Sequence, residues 1–251
     1  MIMQIDLSII IVSWNVWDLL RAALTSIEQV SRASTIASDT RLFGPATLGA
    51  SAPTLEVIVV DNASNDATVE LLPARFPWVR LIRSATNLGF TAGNNVGYAA
   101  SRGRIIYFLN PDTEVVTNPQ GEDSLWTLYR ALLDDGKAGL VGPQLRYADN
   151  TLQSSRRRFP TPLNGFFEAG ALGRYWRNNP WQRRMLMEDW PANFRQEVDY
   201  VVGAAMLARR SALEGVRLPS MVGPFDESFF MYSEETDLCH RLKTAGWRIV
   251  Y

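Results

Sequence analysis

Arg104-Ile105-Ile106-Tyr107-Phe108-Leu109-Asn110-Pro111-Asp112-Thr113 passes from an apolar run into a carboxylate turn. The run is short, rich in β-branched and aromatic side chains and without alternation, as a parallel strand buried on both faces requires. Asn-Pro-Asp then places Asp112 at the carboxyl end of that strand. In open α/β sheets ligands bind in the crevice beyond those ends, so a hard oxygen ligand here suits Mg²⁺ or Mn²⁺, with substrate phosphates completing the shell. The same residues are also ordinary turn chemistry, in which Asp accepts from nearby backbone N–H groups.

Working outward, the strand has company. Leu7 to Val12 reads as a first buried strand, and Trp17 to Val30 carries Trp17, Leu20, Leu24 and Ile27 at helical spacing. The rhythm returns with Leu55 to Val60, Ala67 to Leu72, Val79 to Ile82 and Ala92 to Ala100. Such alternation predicts an α/β fold with a mostly parallel sheet and right-handed crossovers. Ser31 to Thr54, rich in Ser, Thr, Ala, Gly and Pro, is too long for an ordinary connection and reads as a mobile surface insertion. After Asp112 a helix is expected over Ser124 to Leu133, a strand over Gly139 to Leu145, and another over Val198 to Met206. A helix over Glu234 to Ala245 leads into a last strand, Trp247 to Tyr251. Ser154 to Trp190 shows no stable period. Ending on an uncapped apolar strand suggests a chain truncated at the C-terminus.

Bulk properties narrow the function class. With 251 residues, 47% of them hydrophobic, and a formal net charge of −1, the chain has a sizeable core and no global attraction for nucleic acid. The single thiol, Cys239, builds neither an intramolecular disulfide nor a zinc framework, which fits a reducing compartment. Leu7 to Val12 is too short to cross a bilayer and lacks the flanks of an export signal, so a cytoplasmic location is expected.

Four turns at predicted strand ends are unusually polar: Ser13-Trp14-Asn15, Asp61-Asn62-Ala63-Ser64, Asn87-Leu88-Gly89-Phe90 and Asn110-Pro111-Asp112. Polar turns gathered on one rim build a pocket for a polar ligand, and Asp61 is placed to accept from a base or ribose. Singly, each is readable as a local cap. Gly89-Phe90-Thr91-Ala92-Gly93-Asn94-Asn95 puts glycines where backbone approaches a phosphate, although Gly89, Gly93 and Gly97 depart from G-x-G-x-x-G and no P-loop Lys follows. Gly97 also suits close helix packing. Further on, Gly223-Pro224-Phe225-Asp226-Glu227 and Tyr232-Ser233-Glu234-Glu235-Thr236-Asp237 concentrate carboxylates. In a helix starting near Ser233, Glu234, Asp237 and Arg241 share one face and Glu235 shares another with Cys239. Acidic residues complement a helix start, and a second carboxylate group is also what transfer chemistry needs to take a proton from an attacking hydroxyl. The lone His240 has a packing or surface role.

Taken in order, these motifs, from Val12-Ser13-Trp14-Asn15 through Val60 to Asp66, Asn87 to Gly97 and Leu109 to Thr113, with Phe225-Asp226-Glu227 and Glu234 to Leu238, resemble the family 2 glycosyltransferases, in particular the rhamnosyltransferase-like branch. The resemblance implies a GT-A fold over residues 1–251. Residues 1–115 would form the nucleotide-sugar half, interrupted by the insertion at 31–54, and 116–251 the acceptor half. It implies a nucleotide-diphosphate sugar as donor, rhamnose from dTDP-rhamnose as the first guess, and inversion at the anomeric carbon.

By position, Asp112 would hold the divalent cation and Asp61 the donor base. Ser13, Asn15, Asn87, Gly89, Asn94, Asn95 and Asn110 would line the donor site. Glu235 would be the acceptor base, with Asp237, Asp226 and Glu234 as alternates, because the family usually has Asp where Glu235 stands. The metal turn is reduced to one carboxylate.

A saccharide or lipid-linked acceptor in cell-envelope polysaccharide synthesis follows from the same resemblance. Arg156-Arg157-Arg158 with Trp176, Trp181 and Arg183-Arg184 suggests a basic aromatic surface, suited to a lipid diphosphate or to the inner face of the membrane, or else a loop packed over the sheet. The rival from another class is a non-catalytic nucleotide-sugar or glycan-binding module. A sugar-phosphate nucleotidyltransferase would want a Gly-rich basic loop after the first strand, which Ser13-Trp14-Asn15 does not provide.

Overall fold

The computed structural model describes residues 5–34, 37–118, 121–164 and 179–251. The first half contains β1 (Ile5–Ser13), α1 (Trp17–Gln29), β2 (Ser31–Ala33), β3 (Arg41–Phe43), β4 (Thr54–Asp61), α2 (Thr68–Arg75), β5 (Arg80–Arg83), α3 (Gly89–Ala100) and β6 (Gly103–Leu109). β1 runs parallel between β4 and β6, with Ile10 opposite both Ile58 and Phe108, and β5 lies parallel to β4. Because side chains alternate across a strand, Leu7, Ile9, Ile11, Ile105, Tyr107 and Leu109 enter one core, under α1 and α4 (Ser124–Asp134), and Ile10, Ile106 and Phe108 enter the other. Apolar residues on both faces explain the unbroken hydrophobic runs in the sequence.

The segment expected as a mobile surface insertion belongs to the sheet. β2 and β3 pair antiparallel, β3 pairs with the start of β4, and Phe43 is fully buried, edge-on to Tyr129 at 5.0 Å. Its Ser, Gly and Pro content hid two three-residue strands too short to show a period.

The second half contains β7 (Ala138–Val141), β8 (Leu145–Arg146), β9 (Leu152–Gln153), β10 (Arg156–Arg157), α5 (Pro180–Met185), β11 (Glu197–Val198), β12 (Tyr200–Val201), β13 (Ala205–Arg209), α6 (Arg210–Val216), α7 (Glu234–Thr244) and β14 (Arg248–Val250). Among the described residues the main sheet runs β11-β14-β7-β13-β6-β1-β4-β3-β2, with β5 also on β4. β13 is antiparallel to β6 and to β7, so the parallel centre carries a mixed flank. The strand expected over Val198 to Met206 is broken at Gly203 and Ala204, where a turn redirects the chain from β12 into β13. Trp176 lies outside the described residues. No helix among those described is long and apolar enough to cross a membrane.

Candidate active site

The carboxyl ends of β1, β4 and β6 open on one side, and the turns that follow them face α7 across a cleft of about 680 Å³. Its walls include Trp14, Asn62, Asn87, Asn110, Asp112, Arg157, Gly203, Phe230, Tyr232, Glu234 and Glu235. The Asp112 carboxylate and the acidic helix start, 122 positions apart at their nearest (112 and 234), therefore share one cavity.

Asp112 is exposed, and among the described residues its Oδ1 meets only the Thr113 hydroxyl at 3.4 Å. Asn110 fixes the turn: its N–H donates to Ala204 O at 2.9 Å and its carbonyl accepts from Thr113 N–H at 3.1 Å. Among the described residues no three His, Cys, Asp or Glu side chains converge. A cation at Asp112 would therefore take most of its ligands from substrate oxygens and water, as Mg²⁺ and Mn²⁺ on diphosphates do, and the single hard carboxylate fits that arrangement.

Other predicted donor-site residues hold the rim together. Asn15, with φ 54°, donates its N–H to Ser64 Oγ at 2.9 Å and accepts at Oδ1 from Asn65 N–H at 2.7 Å, tying the turn after β1 to the turn after β4. Asp61 is buried opposite Ser13 in the β1–β4 register, and among the described residues its carboxylate receives only long contacts of 3.4 Å from Ser64 N–H. Ser13 Oγ is buried without a partner among the described residues. Asn62, the second residue of the polar turn after β4, is a crosspiece. Its amide donates to Asn87 Oδ1 at 2.8 Å and Gly89 O at 3.0 Å, and its Oδ1 accepts from Leu88 N–H at 2.9 Å.

Three residues expected against the donor do something else. Gly89, with φ +79°, lies under Phe230: a Cβ there would meet both the ring and the carbonyl of Phe230 at 2.7 Å. Phe90 N–H donates to that same carbonyl at 2.9 Å. Asn94 turns back along α3 to Phe90 O at 2.9 Å, and Asn95 is buried against Phe225 and Glu227. The glycine-rich helix start thus receives protein backbone where a phosphate was expected.

The two acidic groups also separate. Asp226 caps its own turn, accepting from Ser228 N–H at 2.9 Å, and that bond holds its carboxyl below the usual range. Asp237 is paired with Arg241 at 2.7 Å, and Arg241 is also bound to the carbonyls of Val216 and Pro224. Neither lines the cleft, so both are corrected as base candidates. Glu234 and Glu235, adjacent in the first turn of α7, line it together. α7 starts abruptly, with Tyr232 and Ser233 both at φ 72° and no capping bond from the Ser233 side chain. Glu234 is 4% exposed, its Oε2 has no partner among the described residues, and burial pushes its carboxyl up to about 7. Burial also raises the Glu235 carboxyl, while amides at the helix start and the Arg157 guanidinium pull it back.

The three arginines expected on a basic aromatic surface diverge. Arg156 is buried and donates to the carbonyls of Met187, Trp190 and Pro191; Arg158 covers the Trp190 ring at 5.4 Å. Only Arg157 reaches the cleft. Trp181, Arg183 and Arg184 are exposed on α5. His240 packs edge-on to Phe159 at 5.4 Å, in keeping with a packing role.

Solved structures share this architecture. A Pyrobaculum calidifontis mannosyltransferase in complex with GDP-Man and Mn²⁺ superposes with a TM-score of 0.56 at 16% identity, covering 99% of this chain and 55% of the other. S. aureus TarS in complex with UDP gives a TM-score of 0.59 at 14% identity, covering 98% and 57%. The fold is therefore that of the GT-A glycosyltransferases. Within that class the sequence profile of Glycosyl transferase family 2 matches residues 8–217, and the chain belongs to that family. An N-acetylglucosaminyl-diphospho-decaprenol L-rhamnosyltransferase of Mycobacterium tuberculosis is 35% identical over 205 residues, 78% of this chain and 64% of the relative. A low-salt glycan biosynthesis hexosyltransferase of Haloferax volcanii is 25% identical over 199 residues, 77% and 55% respectively. This chain thus spans somewhat less than two thirds of the length of the curated relatives it matches.

Proposed function

We propose that the protein transfers a sugar, with rhamnose the first candidate, from a nucleotide-diphosphate donor to a lipid-linked saccharide in cell-envelope polysaccharide synthesis, with inversion. The observation that carries this reading is the shared cleft, with Asp112 on one wall and Glu234 and Glu235 on the other. The mycobacterial relative supports the sugar and the lipid-diphosphate acceptor by its name and by its identity to this chain.

Asn87, Asn110 and Asp112 face the donor, with Asp61 at the rim end of β4 as the contact for its base. A divalent cation held by Asp112 would neutralise charge developing on the departing diphosphate. Glu235 takes the proton of the acceptor hydroxyl. The freed oxygen forms its bond to the anomeric carbon on the face opposite the breaking bond to the diphosphate, so the configuration inverts. A base serves best when its pKa is near the working pH, and burial moves Glu235 in that direction. Glu234, neutral for much of its population near pH 7, can both donate to and accept from a sugar hydroxyl. A lipid-linked acceptor would bring the protein to the inner face of the membrane.

The test is incubation with a panel of nucleotide sugars, with and without Mn²⁺, followed by release of nucleoside diphosphate and by the anomeric configuration of the product. Metal-dependent release from one donor, with an inverted product, is expected. Donor binding with no release or transfer would instead identify a non-catalytic module.

A further inference from the structure

β10 is two residues long, and alternation across it sends its two arginines apart. Arg156 enters the 187–191 loop, where three backbone carbonyls occupy its guanidinium, whereas Arg157, opposite Tyr200 of β12, points into the cleft. Arg157 is only partly supplied with partners. Nη1 donates to Ser154 Oγ at 2.7 Å and to Arg156 O at 2.9 Å; among the described residues no carboxylate lies within salt-bridge distance of it, and neither Nη2 nor Nε has an acceptor. Burial works against its charge. A half-buried guanidinium with a free edge in a cavity is a fork for a planar or tetrahedral oxyanion, and phosphate esters fit it by two parallel N–H···O bonds.

The position says which anion. Arg157 and Glu235 line the same cleft, and Arg157 is paired through β10 with β12, the strand that packs against α7, so Arg157 stands on the side of the base, while Asp112 stands at the end of β6 on the donor side. Donor diphosphate gathered at Asp112 leaves Arg157 for a second one. We propose, building on the transfer reading above, that Arg157 binds the diphosphate of a lipid-linked acceptor and so sets which hydroxyl reaches Glu235.

Geranyl diphosphate is the probe, titrated into the whole chain with Mn²⁺ and whichever of UDP, GDP or dTDP binds, so that the donor subsite is filled; with no nucleotide bound, it is titrated alone. Wild type should bind it, Arg157→Gln should weaken binding at least tenfold, and Arg157→Lys should recover part of the loss. Melting temperatures of all three establish that they fold. Absence of binding to wild type, equal binding by wild type and Arg157→Gln, or displacement of the probe by nucleotide would each overturn the assignment. Transfer assays report on the other reading separately: for the same saccharide, Arg157→Gln should raise KM for a prenyl-diphosphate-linked form and leave KM for an uncharged alkyl glycoside unchanged. Equal losses on both would reduce Arg157 to a structural role, and failure of wild type to transfer at all, with the probe still bound, would remove the proposed reaction and keep the anion site.

Discussion

The Asn95 side chain clasps the Phe225 backbone from both sides, its Nδ2 donating to the carbonyl at 2.9 Å and its Oδ1 accepting from the N–H at 3.1 Å. Asn95 is fully buried in α3 and 130 positions away, so this contact locks the loop that leads into α7 onto α3. Replacing Asn95 by Ala strands a buried N–H and a buried carbonyl and should cost about 2–4 kcal/mol. Chemical denaturation measures it, and a loss near zero would show that the loop finds other partners.

Gly89→Ala tests the seat of Phe230. A left-handed residue with a side chain costs about 1–3 kcal/mol, and here the new methyl also meets Phe230 at 2.7 Å. Phe230 leads through Tyr232 and Ser233 into Glu234, so transfer should fall further than stability alone explains. A variant that keeps full turnover after a measurable loss of stability would uncouple the two segments.

Glu234 gives the protein a pH signature. Its carboxyl is raised in the folded state to about 7, so the folded chain holds a proton that the unfolded chain releases. The associated stability is complete below the ordinary carboxylate range and is lost as the pH rises through about 7. Glu234→Gln should remove that component and flatten the melting temperature between pH 5 and 8 relative to wild type. Parallel curves for the two proteins would show that Glu234 is not held neutral.

Asp112 and Glu235 should fail differently. Asp112→Asn weakens the cation site, so nucleotide binding in Mn²⁺ and transfer should drop together, transfer by at least about a hundredfold. Glu235→Gln removes a proton acceptor and should lower kcat by about 10²–10⁴-fold with nucleotide affinity retained. Calorimetry with nucleoside diphosphate beside steady-state kinetics separates the two; retained turnover in either variant would withdraw that residue from its role.

What could be read in the chain followed from how strongly each residue type is tied to its surroundings. The runs of β1, β4 and β6 have apolar residues for both faces, and their polar turns fall at the rim because strand ends do. Gly97 read equally as a packing residue, and a Cβ there would meet Ile10. Asparagines misled, since the same amide that binds a substrate also ties backbone: Asn94 and Asn95 look like ligand contacts in sequence and serve the protein's own carbonyls. Carboxylates misled for a related reason. Asp237 shares a face with Arg241, and that pairing, legible at i,i+4, consumes it. Arg157 was lost among its neighbours because a two-residue strand has no period to reveal which arginine faces the cavity.

Asn110 N–H reaches Ala204 O, and the β6–β13 ladder continues directly from it, Leu109 lying opposite Ala205. The turn that carries Asp112 is thereby tied into the same hydrogen-bonded ladder as β13. Trp14, Tyr147, Phe230 and Tyr232 stand exposed around the same cleft, so rotation of these side chains, without any movement of the sheet, changes how much of it is open to water.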